Sequence, residues 1–493
     1  MKVLLAVAPY ILPQKESGST ERLGLLYLAA SLRRAGVDVR IYDPTVCAPA
    51  RVPAGFLYGR PDEEVRRVLE EYRPDVLGVS VHQALNLDGA RQLSRLAKEV
   101  SAATVTVAGG VYPSVSREAI LEECVHVDYA LQGESEATFV ELLEALAAGR
   151  PVPTTIDGLI WRDQGSVRAN PKVAFIEDLD SVPFPARDLV DIRGFMGKRL
   201  AIYGIGNRPS LSLLTSRSCP HQCSFCNMWM IHGKRWRPRS PENVLAEIDE
   251  MVGKWGARDL FIMDDNFTLR SDRVIEICEG IVRRRYPIRW NTPNGISAKG
   301  ATPEMARAMK AAGCKSVCVA IETGSEDFRL SAMNKRVTND EIRRAVHAFR
   351  DAGVPVGGLL MLGMPGETDE RFRETVRFVA ELPLTWIVVS FTFPHVGTKL
   401  YDELLRSGRI DGPVKVASDT YGVPVFATED FTADTLVRRK SQLYRAFYRT
   451  KAPTILWDVA TKWPYLGEFF VSHLKPGLRS MAGSAAGVAR RRG

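Results

Sequence analysis

The sequence predicts an α/β chain built from two successive runs of strand–helix units, and three observations carry that reading. From residue 1 to about 150, short apolar runs alternate with amphipathic stretches, the rhythm of a doubly wound parallel sheet. Residues 151 to about 209 break the rhythm with a glycine-containing hairpin signal and clustered prolines. From Leu211 the rhythm resumes and repeats about six times up to residue 400, after which residues 401–493 read helical. A chain of 493 residues, 45% hydrophobic and 25% charged, has ample core for about three domains on the usual prior of roughly 150 residues each.

In the first run, residues 1–150, strands are expected at Lys2–Ala8, Val37–Tyr42, Val76–Ser80, Thr104–Ala108 and Val127–Leu131, with a helix over Arg22–Ala35 stopped by Gly36. Ligands of such a sheet lie beyond the C-terminal strand ends, where the strand order switches. The loops at those ends read Ser80-Val81-His82-Gln83, Gly109-Gly110-Val111-Tyr112-Pro113-Ser114 and Gly133-Glu134-Ser135-Glu136. Glycine there lets a backbone approach a bulky ligand closely, because no Cβ intervenes. Plain turn chemistry accounts for the same glycines equally well.

The linker, residues 151–209, carries Asp157-Gly158-Leu159-Ile160-Trp161 and Gly165, which suggest a small hairpin. Val182-Pro183-Phe184-Pro185-Ala186-Arg187 reads as an extended connector, since each Pro biases its predecessor away from helix. In the second run, residues 210–400, strands are expected at Ser212–Ser216, Asp259–Met263, Ile288–Asn291, Ser316–Ile321, Val356–Leu362 and Ile387–Phe393.

The first of these strands is followed by Ser218-Cys219-Pro220-His221-Gln222-Cys223-Ser224-Phe225-Cys226. An ordinary cubane iron–sulfur cluster takes four Cys ligands, so three thiolates suit one cluster poorly unless its fourth iron binds something else. A structural zinc would also want four ligands, and the nearest extra candidates are His221 and His232. Buried structural thiols or a disulfide are the remaining alternative. With eight Cys in 493 residues and no signal-peptide pattern, the chain reads as a reduced cytoplasmic protein.

The three-then-two spacing of Cys219, Cys223 and Cys226, with the aromatic Phe225 directly before the last Cys, closely resembles the cluster loop of the radical S-adenosylmethionine (SAM) enzymes. The resemblance implies that these three Cys hold a 4Fe–4S cluster whose open iron chelates the amino and carboxylate groups of SAM. An electron from the cluster would split the sulfonium to a 5′-deoxyadenosyl radical. It also implies a partial (β/α)6 barrel of TIM type, with the active site at the C-terminal strand ends.

SAM contacts implied in the same way are Phe225 beside the cluster, Asp264-Asp265-Asn266 where the family binds the SAM amino group, and Asn294 at the end of the third strand. Glu322 ends the fourth strand, where a polar residue usually holds the ribose hydroxyls; tying the barrel rim together is its alternative role. Gly357-Gly358-Leu359-Leu360-Met361-Leu362-Gly363-Met364-Pro365-Gly366-Glu367 looks like the fifth-strand segment whose backbone contacts adenine, which selects Gly358 and Gly363. Thr368 just beyond it reads as a helix N-cap. Phe393-Pro394-His395-Val396-Gly397-Thr398-Lys399-Leu400-Tyr401 matches the Pro-x-x-Gly-Thr-x-Leu-Tyr end of this family's barrels.

Ahead of such a Cys loop, the order and spacing of the N-terminal loops make residues 1–150 resemble the Rossmann-like cobalamin-binding domain of the cobalamin-dependent radical SAM enzymes. Ser80, Gln83, Gly109, Gly110, Val111, Gly133 and Glu134 are then the implied cobalamin contacts. One departure matters. Many cobalamin domains place a ligating His in an Asp-x-His-x-x-Gly loop after the first strand, and here Pro9-Tyr10-Ile11-Leu12-Pro13-Gln14-Lys15-Glu16-Ser17-Gly18 has none. Cobalamin is therefore expected to bind with its dimethylbenzimidazole tail detached from cobalt and without a nitrogen ligand from the protein. His82 is the only nearby substitute by sequence, and a domain that has kept the fold and lost the cofactor is the alternative.

The function implied is a C-methyltransferase acting on an unactivated carbon of a small metabolite or lipid, by a 5′-deoxyadenosyl radical and methylcobalamin, with a flavodoxin or ferredoxin as electron donor. An oxidative cyclase or rearrangement enzyme with the same cofactors is the runner-up. An RNA methylthiotransferase would need a second three-Cys cluster in the N-terminal domain, where only Cys47 and Cys124 occur, so no nucleic-acid partner is expected. Cys278 is scattered, and Cys314 and Cys318 flank the fourth strand; all three read as small buried hydrophobes, the latter pair with an alternative role near the site. No residue is assigned to catalysis proper.

Formal charge of +8 is spread along the chain, densest in the terminal Arg490-Arg491-Arg492. The aromatic run from Thr454 to Phe470 suggests core or a lid, with a peripheral membrane contact as the alternative. No run of 18 or more apolar residues occurs.

Overall fold

A computed structural model describes residues 1–13, 15, 20–149, 151–196, 205, 208–414 and 422–462. Near-continuous apolar runs make the N-terminal strands, as parallel strands buried on both faces require: β1 (Lys2–Val7), β2 (Asp38–Tyr42), β3 (Val76–Ser80), β4 (Val105–Gly109) and β5 (Tyr129–Leu131). They are all parallel, in the order β2-β1-β3-β4-β5. Separate apolar clusters cover the two faces, one around Leu93 and Ile120 and one around Leu26's helix residues Leu25 and Ala29 with Phe139. The helix after β1 spans Leu23–Arg34 and stops at Gly36, whose φ of +78° suits glycine.

The hairpin read as linker is the edge of this sheet. β6 (Leu159–Asp163) and β7 (Ser166–Ala169) pair antiparallel and extend the sheet beyond β5. A second small sheet, Tyr10–Leu12, Ala50–Val52 and Gly55–Tyr58, was not foreseen; it stacks Tyr10 on Tyr58 with ring centroids 5.0 Å apart.

The Pro-rich connector binds the two halves. Ala186 N donates to Leu26 O at 3.1 Å, and the fully buried Arg187 donates to Ser212 O and the Glu247 carboxylate, both at 2.8 Å. Glu21, in the turn leading to the first helix, completes this cluster by accepting from Ser212 N at 2.7 Å.

Six parallel strands follow in sequential order: β8 (Ser210–Leu213), β9 (Asp259–Ile262), β10 (Arg289–Asn291), β11 (Cys314–Glu322), β12 (Val356–Leu362) and β13 (Trp386–Phe391). Such an arc is a partial barrel with a free edge at each end. Five helices clothe its outside, at Pro241–Gly253, Ser271–Arg283, Pro303–Ala311, Asn339–Asp351 and Asp369–Glu381. Side-chain caps set the starts of all but Ser271–Arg283; Thr368 does cap the last of them, its hydroxyl accepting from Arg371 N at 3.4 Å.

The edge at β13 is closed by the helix Ala433–Lys462. Tyr444 OH accepts from Val389 N at 3.2 Å, which satisfies an amide of the edge strand. Among the described residues no helix is long and apolar enough to cross a membrane. The side chains of the aromatic run from Thr454 lie outside the described residues, as does its backbone beyond Lys462.

The same helix docks through a buried carboxylate. Glu367 accepts from Gly363 N at 2.7 Å and lies 3.4 Å from Arg439, and burial pushes its pKa up to about 7 in spite of both. An acid whose folded pKa is raised stabilises the fold fully below its unfolded value near 4.5 and loses that contribution as pH rises through about 7. Glu367→Gln keeps an acceptor and removes the titration. The wild type should lose up to about 3 kcal/mol more than this variant between pH 5 and 8; equal pH slopes in thermal unfolding would refute the assignment.

Candidate functional site

β8 stops at Leu213 rather than at Ser216, and the reason is Asp264. Its buried carboxylate accepts from Thr215 N and Thr215 Oγ1, both at 2.6 Å, and from Ser216 Oγ at 2.5 Å. Those bonds turn the chain out of the ladder, and Ser216–Arg217 pairs instead with Arg237–Pro238. The Cys loop is the excursion between these two short strands. Ser218, at φ +75°, anchors its start by donating to Gly233 O at 2.6 Å.

The loop is strapped to the barrel at several points. Ser224 N donates to Met333 O at 3.0 Å, Ser224 Oγ to Ala332 O at 2.8 Å, and Leu400 N to Ser224 O at 3.1 Å. Cys219, Cys223 and Cys226 are all free thiols within electrostatic reach of one another. Burial pushes Cys223 up to about 12, Cys226 up to about 11 and Cys219 upward, while the Lys335 ammonium pulls all three the other way.

Among the described residues no three ligand side chains converge as the cage of a single ion. A cubane occupies the space between its thiolates, so its ligands stand farther apart than those of one zinc. His232, a candidate zinc ligand by sequence, is engaged elsewhere: its Nδ1 lies 3.1 Å from Glu134. Three thiols that need a cationic partner to ionise, with Lys335 beside them, fit an iron–sulfur cluster.

The residues read as SAM contacts divide. Asn266 is buried at the end of β9; its Nδ2 donates to Cys219 Sγ at 3.7 Å and its Oδ1 has no partner, as expected of a side chain awaiting a ligand. Asp265 is half-buried, with its pKa raised by burial, and faces the same space. Asn294 is exposed and donates to Met263 O at 2.9 Å. Phe225 packs partly buried against the barrel core. Glu322, at the bulged end of β11 with φ +63°, pairs with Lys335 at 2.6 Å.

Two of the expected contacts are corrected. Asp264 turns its oxygens to Thr215 and Ser216, so in this structure its carboxylate shapes the Cys loop rather than facing the open space. Gly358 lies in mid-strand, where an added Cβ would meet Ile321 and Leu384 at 3.0 Å; its missing side chain serves core packing. Gly363 does end β12, at φ +91°, but its N–H is committed to Glu367. Sequence reasoning passed over Lys335 and the buried, unpartnered Thr292 hydroxyl directly after β10; the position after a strand end was the only signal for Thr292.

At the N-terminal sheet the order β2-β1-β3 places the switch between β1 and β3. Ser80 and Gln83 lie at the end of β3, both half-buried. Gly109 ends β4 with nothing within 4 Å of a built Cβ, Gly110 has φ +106°, and Val111 opens the helix Val111–Ser116. An open glycine backbone at the switch fits a large flat cofactor such as cobalamin. The His82 side chain is exposed in part, yet the protein packed around it, with Arg22 and His395 adding to the effect, pushes its pKa down to about 4.

The Glu134 side chain is committed elsewhere. Its carboxylate is buried and receives two bonds from Arg237, at 2.8 and 2.6 Å, and one from Ile176 N at 3.1 Å. Against the push of burial, Arg237 and His232 hold its carboxyl well below the usual range. Its neighbour Glu136 accepts from Arg217 at 2.6 Å. The loop after β5 thus clamps the two short strands that flank the Cys loop, and only the backbone of Gly133 and Glu134 is left for a cofactor.

Fold and site together define a radical SAM barrel fused to a cobalamin-type sheet. Residues 213–379 match the radical SAM superfamily and residues 15–143 match the B12 binding domain. The chain belongs to the cobalamin-dependent radical SAM enzymes, with a 4Fe–4S cluster, SAM and cobalamin as cofactors.

It is 27% identical over 450 residues to an uncharacterized methyltransferase, PH0819, of Pyrococcus horikoshii, covering 91% of this chain and 92% of that one. It is also 27% identical to cytidylyl-2-hydroxyethylphosphonate methyltransferase of Streptomyces wedmorensis, over 82% and 81% of the two chains. The anaerobic magnesium-protoporphyrin IX monomethyl ester cyclase of Cereibacter sphaeroides is 24% identical over 90% of this chain and 70% of its own. The cobalamin-dependent SAM radical enzyme OxsB shares the fold, with a TM-score of 0.72 at 17% identity over 97% of this chain and 71% of that one.

Proposed function

We propose that the chain is a C-methyltransferase acting on an unactivated carbon of a small organic substrate. The observation that carries this reading is that the two sets of strand-end loops face each other. Gly397, after β13, packs against Met230 of the Cys loop and Val115 of the N-terminal domain, Tyr112 lies within electrostatic reach of Tyr401, and His82 within reach of His395. A substrate held between those loops has one cofactor on each side. When bound, the cluster with SAM supplies hydrogen-atom abstraction from carbon, and cobalamin supplies a methyl group.

The chain's own contribution is positioning and exclusion of water. Asp265 and Asn266 offer acceptors for an ammonium group, and Asn294, Glu322 and the Gly363 turn line the same rim. Ser80, Gln83, Gly109, Gly110 and Val111 offer a low, mostly backbone surface to the corrin. The two related methyltransferases support the transfer of methyl, and a flavodoxin or ferredoxin is the electron donor that this chemistry calls for. The relation to the cyclase favours a second reading, an oxidative cyclisation with the same cofactors.

Methyl-labelled SAM separates the two. A methyltransferase places the label in its product and forms one S-adenosylhomocysteine and one 5′-deoxyadenosine per turnover, whereas a cyclase forms 5′-deoxyadenosine with unlabelled product. Candidate substrates are found first by stimulated 5′-deoxyadenosine formation. Unlabelled product alongside that stimulation would overturn the methyltransferase reading in favour of the cyclase.

A further inference from the structure

The Cys loop and the residues just after it are covered on one side and bare on the other. Met230 packs against Gly397 and, with it, faces Val115 of the N-terminal domain, while Ile231 O stands 3.0 Å from the place of a Cβ on Gly133. On the barrel side Asn266 reaches Cys219 at 3.7 Å. Pro220 and Gln222, between the first two Cys, are exposed.

That bare stretch is framed by cations. Gln222 O accepts from Asn334 Nδ2 at 2.7 Å, and Ser224 is bonded to Ala332 O and Met333 O, so residues 332–336 run along the loop. Lys299 and Lys335 are both within electrostatic reach of the His221 ring. Lys335 is buried and paired with Glu322 at 2.6 Å. Lys299 and Arg336 are exposed, and neither side chain has an ion pair or hydrogen bond with a described residue.

The carboxylates beside them are engaged. Glu322 holds Lys335, and Glu341 accepts from Thr338 N at 2.8 Å. On the far side Leu400 N donates to Ser224 O, which sets Lys399 at the loop, where Asp402 and Glu403 of the same helix offset it. Lys299 and Arg336 therefore leave a positive potential over the exposed half of the loop, on a chain whose formal charge is +8.

We propose that Pro220, Gln222, Asn334, Lys299 and Arg336 form the docking surface for an acidic one-electron carrier protein, which reduces the cluster from the bare side of its loop. This rests on the radical SAM reading of the loop, in which the cluster must be reduced before SAM is cleaved. The carrier loses one electron and the cluster gains it; no bond forms or breaks in that step. Two free cations are too few to hold a nucleic-acid backbone, whose binding draws on many phosphate contacts. They suffice to steer a protein of opposite charge and to orient it.

The test uses two reductants of opposite charge on the reconstituted full chain, with cluster bleaching followed by stopped-flow absorbance. Fully reduced flavodoxin is the acidic protein carrier, and the methyl viologen radical is a small cationic one. The double variant Lys299→Glu, Arg336→Glu should be reduced by flavodoxin about tenfold more slowly at low ionic strength, and the gap should shrink as salt is added. Lys299→Gln with Arg336→Gln should show a smaller loss of the same sign. Neither pair should be slowed with methyl viologen, and Arg67→Glu, an equal charge change on the helix Asp62–Tyr72 of the N-terminal domain, should leave both rates unchanged. Oxidised flavodoxin, followed by its flavin fluorescence, should bind the wild type more tightly than the double variant.

Flavodoxin rates and affinities equal in wild type and variants, or a loss of the same size with methyl viologen, would overturn the docking surface. An equal loss in Arg67→Glu would do the same, since it would reduce the effect to net charge. A wild-type cluster that methyl viologen cannot reduce refutes instead the radical SAM reading beneath the proposal.

Discussion

Replacing Cys219, Cys223 and Cys226 together by Ala should leave the anaerobically reconstituted chain without iron or sulfide and without reductive cleavage of SAM to 5′-deoxyadenosine. Three thiolates and the open iron they leave are the whole anchorage of such a cluster. No other Cys can take over: Cys124, Cys278, Cys314 and Cys318 are buried in hydrophobic cores, and Cys47 lies in the N-terminal domain. The loop's straps to Met333, Ala332 and Leu400 run through Ser224 and the backbone, so the variant should still fold and still bind cobalamin. Circular dichroism and cobalamin absorbance check that control. SAM cleavage retained in the folded triple variant would sink the radical SAM assignment.

Much of this architecture was legible because the signals are local. Parallel strands buried on both faces appear as apolar runs, so β3 and β12 fall where the sequence places them, at Val76–Ser80 and Val356–Leu362. The Cys loop is read from spacing within eight residues. What failed was set by partners distant in sequence. Asp264 and Asp265 are adjacent and chemically alike, and only the fold turns one onto Thr215 and the other toward the start of the Cys loop at Ser218.

Gly358 and Gly363 belong to one motif, yet mid-strand and strand-end positions give them different neighbours. Leu12 and Phe56 pair in a sheet that the prolines around them conceal. Glu134 sits in a Gly-Glu turn that suggests a ligand contact, while its partner Arg237 is 103 residues away. A buried ion pair of that kind has no signature in either segment alone.

That pair carries the second large effect. Glu134→Ala leaves Arg237, only 3% exposed, with two guanidinium hydrogen bonds lost and a buried charge uncompensated. Breaking one side of a buried pair costs about 3–5 kcal/mol, whereas removing both sides is far milder. Glu134→Ala and Arg237→Met should therefore each destabilise the chain by that amount, and the double variant should cost less than the sum of the two and no more than either alone.

Because the pair joins the loop after β5 to the strand beside the Cys loop, the loss should also show between domains. Unfolding of the Glu134→Ala variant should separate into two transitions, one shifted by cobalamin and one by cluster reconstitution, where the wild type gives one. Arg217 and Glu136 bridge the same boundary at 2.6 Å and should retain part of the coupling, so adding Glu136→Ala should widen the separation. Additive single effects below about 1 kcal/mol, with a single transition throughout, would show that this contact is a passive surface pair and that the Pro-rich connector around Arg187 alone holds the two cofactor domains in register.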